Sequence, residues 1–530
     1  MAGLPSMVYG SGIRKSTQVQ FRGYNHNLYA QDGELWDMEN LTSDLSPLLS
    51  PRRPRWKVET LAKPNGLYAK DGLYWVDGTG FYADGVKRGT VTDSRKQFTG
   101  IGAYIILLPD KAYYNRITQE FGSLESSWSG TAAFQDGTYA GEEAEGNTIY
   151  AAGADWGSRF REGDAVTISG ASTQSNNQTI IIREIAGDYL RFYENSFTPE
   201  SGQSLTISRD VPDLDFICEN ENRLWGCKGD TVYASKLGDP FNWNVFDGLS
   251  TDSYAVDVGS AGDFTACCSY LGYPCMFKEE HIYKVYGDKP SNFQVMGSAS
   301  LGVEKGSHMS LAIAGETLYY LSRIGVVAYT GGIPQSVADA FGTVRYRNAV
   351  GGSDGVKYYV SMEDMEGAWH LFAYDTRYGT WHREDGLEAV GFGWNTELYF
   401  LSAAGPLWMN GNAREVPKGA VSEGAVESAA EFADFVEGSP DKKGAGKLQV
   451  RVELDAGAEL EVEIQFDSDG VWRPVDKLAA TEKRSFLLPI IPRRCDHYRV
   501  RLIGSGGWRV YSMSREHYAG SDLKSRPGRQ

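Results

Sequence analysis

Seven histidines, six cysteines and 69 acidic residues are the side chains from which this 530-residue chain could build a reactive centre. The histidines (His26, His281, His308, His370, His382, His497 and His517) are scattered. The nearest pair, His370 and His382 in HLFAYDTRYGTWH, falls on opposite sides of a predicted turn. Neither HExxH nor His-x-His occurs, so the helix-borne zinc pattern is missing. The cysteines, at 218, 227, 267, 268, 275 and 495, form no CxxC pair. Cys267 and Cys268 are neighbours on a predicted strand and must point to opposite faces, which argues against their converging with Cys275 on a metal. Thiols this sparse in a long chain read as reduced, mostly buried groups of an intracellularly made protein.

Carboxylate neighbours such as Glu142/Glu143 and Glu279/Glu280 could supply the acid and base of a glycosidase. With 69 acidic residues such neighbours arise by chance, and solvated loop faces explain them more simply. Glycine turns such as Gly78–Thr79–Gly80 make no phosphate cradle, because neither the P-loop nor the dinucleotide fingerprint is present. One G-x-S-x-G occurs, at Gly351–Gly355. It runs into a predicted strand at Tyr358, whereas a nucleophile elbow leads from a strand into a helix. A hairpin turn is the simpler reading. No catalytic residue, metal ligand or cofactor is assigned, and the expectation is a protein that is not an enzyme.

The scaffold is easier to read than the chemistry. Hydrophobic residues make up 41% and aromatics 12%, which is ample for a core. The net charge of −17 argues against gripping nucleic acid by its phosphates, since that affinity comes from Lys and Arg. No apolar run reaches the roughly 20 residues needed to span a bilayer, and no signal peptide is read in MAGLPSMVYGSGIRKSTQVQFRGY. Helical periodicity is nearly absent. Short runs rich in Tyr, Trp, Val and Ile are punctuated by Gly, Asp and Asn, as in strands and tight turns.

These runs repeat. LYWVDGTGFYADG begins at Leu73, IILLPDKAYYN at Ile105, RLWGCKGDTVYAS at Arg223, CMFKEEHIYKVYG at Cys275 and LYYLSRIGVVAYTGG at Leu318. YYVSMEDMEGAWHLFAYD follows at Tyr358 and LYFLSAAGPLWMNG at Leu398. Each reads as a β-hairpin. The anchors Trp225, Met276, Tyr319, Tyr359 and Tyr399 recur at roughly the 40–50-residue length of a four-stranded blade. Such units cannot cover their own apolar faces and must lean on neighbours. The fold class expected is all-β: a β-propeller of about six or seven blades, with a β-solenoid or two consecutive sandwiches as the alternative.

Residues 61–140 and 211–412 are assigned to the propeller, and residues 141–210 to a small β-barrel inserted in a blade loop. The clearest barrel strands are Ala165–Ser169, Gln178–Glu184, Tyr189–Phe192 and Ser204–Ser208. Residues 413–530 are read as a C-terminal β-sandwich with a polar tail. Residues 1–60 are read as an extended segment laid over the surface, with an option to lend a strand that closes the ring. Its Arg52, Arg53 and Arg55 are possible partner contacts or a solvated basic turn.

The stretch NRLWGCKGDTVYASKLGDPFNWNVFDG, Asn222 to Gly248, resembles the β-propeller of the tail nozzle, or tail-stabilisation protein, of short-tailed bacteriophages. Its elements are Leu224–Trp225–Gly226, Val232–Tyr233–Ala234–Ser235, Gly238–Asp239–Pro240 and Asn242–Trp243. MENLTSDLSPLLSPRRPR, NNQTIIIREI, LRFYENSF and DHYRVRLIGSGGWRVYS are similar to parts of related prophage proteins. The resemblance implies a structural virion protein: a homo-oligomeric ring, typically a hexamer, below portal and adaptor proteins. Such a ring extends and seals the channel for double-stranded DNA, serves DNA ejection and carries tail fibres or a needle. It would be assembled in the bacterial cytoplasm and located in the virion tail, without cofactor or membrane insertion. A polysaccharide depolymerase and a carbohydrate-binding adhesin are the competing expectations.

Overall fold

The computed structural model describes residues 13–139, 142–193, 197–438, 442–491 and 493–519. Apart from a few single 3-10 turns, the regular structure of those residues is β-strand. Its centre is a succession of four-stranded antiparallel sheets, or blades, with strands in chain order from the inside outward. Blade 1 spans Pro64–Thr90, blade 2 Gln97–Ser123, blade 3 Phe216–Asp257, blade 4 Ala266–Ala299 and blade 5 Ala312–Ser336. Blade 6 runs from Tyr346 to Arg383. Blade 7 supplies three strands between Ala389 and Met409 and takes its fourth from Trp56–Thr60.

The succession closes on itself in a propeller-like circle. Innermost strands touch between blades 1 and 2, 2 and 3, 3 and 4, 5 and 6, and 6 and 7. The innermost strand of blade 7 lies on that of blade 1. Blades 4 and 5 share one apolar cluster, in which Phe277 packs with Tyr320 and Val327. Neighbouring side chains on a strand point to opposite faces, so one strand serves two interfaces. In blade 3, Leu224 packs toward Ile106 and Tyr113 of blade 2, while Trp225 packs toward Met276 and Tyr283 of blade 4. A strand covered on both faces reads as a continuous apolar run, which is why these hairpins stand out in the sequence.

Three boundaries differ from the sequence reading. The six-stranded closed barrel begins at Ser126, not at residue 141, because Ser126–Tyr139 pairs along Glu200–Arg209. That first strand, SSWSGTAAFQDGTY, is mostly small and polar and so lacks a strand signature. Trp156, Phe134, Ile182, Phe192 and Ile207 fill the barrel. Second, residues 1–60 do not simply lie on the surface: Leu35, Met38, Leu41 and Leu49 are buried in the largest core cluster. Third, the C-terminal sandwich is not confined to residues 413–530, because its first sheet has Arg14–Gln18 at one edge.

That first sheet is completed by Trp508–Ala519, Lys443–Leu454 and Arg484–Leu488. The facing sheet is built from Glu34–Glu39, Glu427–Phe432, Tyr498–Ser505, Glu459–Phe466 and Arg473–Leu478. Through Gly23–Tyr24 it continues into the outer strand of blade 6, making one ten-stranded sheet. The circle of blades and the C-terminal sheets are therefore joined by backbone hydrogen bonds as well as by chain.

Candidate functional site

The sequence-singled residues separate into structural roles once placed. His370 bonds Asp364 at 2.8 Å near the end of a hairpin, while His382 is buried with its Nδ1 unpartnered. Cys267 packs with Cys218 and Trp225, and Cys268 joins the opposite cluster with Cys275, so the three thiols do not converge. Glu279 and Glu280 occupy an exposed turn, with Glu280 paired to Arg323 at 2.8 Å. The side chains of Glu142 and Glu143 lie outside those described. Gly351–Gly355 runs strand–turn–strand. A Cβ on Gly352 would lie 2.2 Å from the Cβ of Phe392 in blade 7, so close packing of inner strands accounts for glycine there.

Burial pushes the His382 imidazole down to about 3, assisted by Lys357, and burial pushes His308 down to about 4. Both therefore fold neutral, whereas the unfolded chain binds a proton at each near pH 6.5. Folded values below unfolded ones give stability that is complete above that pH and lost as pH falls toward 4. The urea midpoint is expected to be level from pH 8 to 7 and to decline from 6.5 downward. His382→Gln should make that decline shallower; an unchanged slope would exclude His382 as a cause.

The blade-3 motif turns out to be an anchor. Leu224, Trp225, Pro240 and Trp243 are buried, while Tyr233 and Asp239 are half-buried. Asp239 accepts hydrogen bonds from Phe241 N at 2.9 Å and Asn242 Nδ2 at 2.5 Å. Asn242 Oδ1 in turn accepts from Ala165 N of the barrel at 2.7 Å. Arg161 lies 4.4 Å and Arg209 5.1 Å from the Phe241 ring, and Arg209 also pairs with buried Asp164. The motif thus fastens the barrel to the circle, a role its sequence did not disclose.

Arg52 and Arg55 are not partner contacts: they are 7% and 3% exposed and paired within the chain. Arg52 grips both oxygens of Glu423 at 2.7 and 2.8 Å. Arg55 reaches Glu384 and Asp385, each at 2.6 Å. Those carboxylates lie 329 and 330 residues away in sequence, where local pattern cannot show them. Of the three, Arg53 alone is exposed.

Two features suited to binding stand out among the described residues. One is a face. The first-to-second and third-to-fourth strand turns of every blade must emerge on one side of the circle. Cross-blade bonds bear this out, including Gly315 N to Gly355 O at 3.0 Å and Lys284 Nζ to Gly331 O at 2.8 Å. On that side Ile117 and Ile333 are 81% and 78% exposed, with Leu271, Tyr273, Tyr378 and Trp394 also uncovered, interspersed with exposed Asp71, Glu120, Glu221, Asp288 and Glu316. The opposite turns carry exposed Asp93, Asp213, Asp230, Asp263, Glu279 and Glu366. The other feature is a cavity of about 420 Å³ on the axis, lined by the innermost strands. Glu219 is the single carboxylate among its lining residues, so it lacks the pair that glycoside hydrolysis requires.

Among the described residues, Asp467, Asp496 and His497 bring ligand atoms within 4.8 Å of one another. His497 Nδ1 is bonded to Asp496, and its Nε2 lies 2.7 Å from Ser468 Oγ, so protein groups occupy both nitrogens. No helix among the described residues is long and apolar enough to cross a membrane.

No family model and no curated protein matches the chain. Among solved structures it is similar to a chain of the mitotic checkpoint complex, at 5% identity and TM-score 0.31, covering 77% of this chain and 96% of that one. It is also similar to U3-55K, at 8% identity and TM-score 0.32, covering 68% and 98%. A third is an exo-β-1,3-galactanase from Phanerochaete chrysosporium, at 8% identity and TM-score 0.23, covering 56% and 94%. Likenesses this distant carry no argument.

Proposed function

We propose that the chain is a structural subunit of a ring in a bacteriophage tail, its circle a seven-bladed β-propeller and its role that of a tail nozzle. The observation that carries this reading is the apolar turn face. Exposed apolar side chains from five blades gather on that one side, and apolar surface left uncovered in this way marks protein interfaces. The sequence resemblance around Asn222–Gly248 supports the nozzle in particular. Continuous sheet between propeller and sandwich supports a stiff part, and like charge supports a wall along which duplex DNA slides without sticking.

The test is assembly. Native mass spectrometry and negative-stain images of the purified chain, alone and with portal and adaptor rings from the same genome, should show closed oligomers on the portal axis. The double variant Ile333→Asp/Trp394→Asp should weaken assembly at least tenfold while leaving the monomer's melting temperature unchanged. A chain that stays monomeric with those partners present, or that cleaves capsular polysaccharide, defeats the reading.

A further inference from the structure

The axial cavity is built like a receptor for a small molecule. Its volume of about 420 Å³ falls within the range of ligand sites. Four aromatic rings from four blades wall it: Tyr68, Phe98, Phe216 and Phe392. Tyr68 and Phe98 stack at 5.7 Å with 13° between planes. Their half-exposure places ring surface toward the cavity rather than wholly inside the blades.

The polar groups there are more informative, because several have no protein partner sufficient for them. Lys70 Nζ donates to Gly100 O at 3.0 Å and makes no ion pair among the described residues. Glu219 uses Oε1 to accept Asn222 N at 2.8 Å, leaving the other carboxylate oxygen open. Among the described residues, Tyr68 OH and the His308 imidazole have no hydrogen-bond partner, although His308 lies 5.1 Å from the Phe216 ring. These four side chains are partly exposed, and polar groups with spare hydrogen-bonding capacity at a cavity wall are groups a ligand can engage. Lys70 follows the first strand of blade 1 and Glu219 stands near the end of the first strand of blade 3, so both charges sit toward the apolar turn face. One cation and one anion, not bonded to each other, border a cavity walled by aromatic rings.

We infer that this cavity binds a small zwitterion with an aromatic body, of the free aromatic amino acid class. Lys70 holds the ligand carboxylate, the open oxygen of Glu219 takes the ammonium, and the ring lies against Tyr68 and Phe98. Neither charge alone suffices, since a lone anion would meet Glu219 and a lone amine would meet Lys70. Charge-assisted bonds of this kind are the strong ones in a low-dielectric site. The inference does not rest on the ring reading; a monomer would bind equally.

Isothermal titration of the full chain with L-tyrosine tests it, with 4-hydroxyphenylacetate and tyramine as probes lacking one charge each. One saturable site is expected for tyrosine, with both single-charge probes at least tenfold weaker. Glu219→Gln, nearly isosteric, should erase the advantage of tyrosine over 4-hydroxyphenylacetate, and Lys70→Met its advantage over tyramine. Thermal melts confirm that each variant is folded, and Glu219→Gln decides the matter if Lys70→Met is not. Absence of tyrosine binding at millimolar concentration, or equal binding by all three probes, overturns the inference.

Discussion

Arg55→Ala is expected to destabilise the chain by about 3–5 kcal/mol, the cost of removing one partner from a buried ion pair. Arg55 is 3% exposed, sits against Glu384 and Asp385 at 2.6 Å each, and lies 5.0 Å from the Phe400 ring. Removing it leaves two partly buried carboxylates with only Arg52 beside them, at 3.7 and 3.6 Å and already engaged by Glu423. It also directly precedes Trp56–Thr60, the strand that completes blade 7, so the loss falls on ring closure. Arg55→Lys should recover little, since one ammonium cannot span two carboxylates as a planar guanidinium does. Adding Glu384→Gln and Asp385→Asn to Arg55→Ala should restore part of the loss, because the uncompensated charge disappears. Equilibrium unfolding in urea reads each step; a loss below about 1 kcal/mol would show the pair to be well solvated.

The same junction has a pH signature of opposite origin to that of the histidines. Burial pushes the Glu423 carboxyl up, but hydrogen bonds from Arg52 and the Arg55 N–H, with the charges of both arginines, hold it below the usual range. A depressed carboxyl contributes stability above its unfolded value near pH 4.3 and loses it as pH falls through the folded value. In Glu423→Gln that acid-side contribution should vanish while the decline between pH 6.5 and 4 persists.

What could be read without coordinates follows burial. Trp225, Met276, Tyr319, Tyr359 and Tyr399 all stand on the second strand of blades 3 to 7, and all are buried. All seven quoted hairpins are second-to-third strand pairs, where both faces are covered and apolar residues run together. Innermost strands are harder to read because small and polar residues interrupt their apolar pattern, as in ACCSY and YRNAVGGS. Outer strands such as QVMGSA are exposed along most of their length and look like loops. The N-terminal strands were missed for another reason: Glu34–Glu39 pairs with Glu427–Phe432, a register set by tertiary contact alone. At the cavity, Lys70 and Glu219 are ordinary charges near turns until the circle closes and sets them on one axis. No spacing rule links residues of blades 1 and 3.

Trp225→Ala should cost about 3–5 kcal/mol, the range for emptying a large aromatic site. The indole is 2% exposed and wedged between blades 3 and 4, 5.1 Å from Phe293 and 6.4 Å from Tyr254. Rigid backbone on both sides limits collapse into the space, because Leu224 on the same strand is held by blade 2. Trp225→Phe separates shape from hydrogen bonding. Trp225 Nε1 is buried with no partner, so phenylalanine removes an unsatisfied donor while keeping most of the ring. Its cost should stay below about 1.5 kcal/mol, as for other size-preserving swaps. Tyr233, paired opposite Gly226 and half-buried, should lose only about 1 kcal/mol on truncation, unlike a core aromatic. Urea melts of the three variants rank them. If Tyr233→Ala matched Trp225→Ala, the seam between blades 3 and 4 would not be where blade 3 draws its stability.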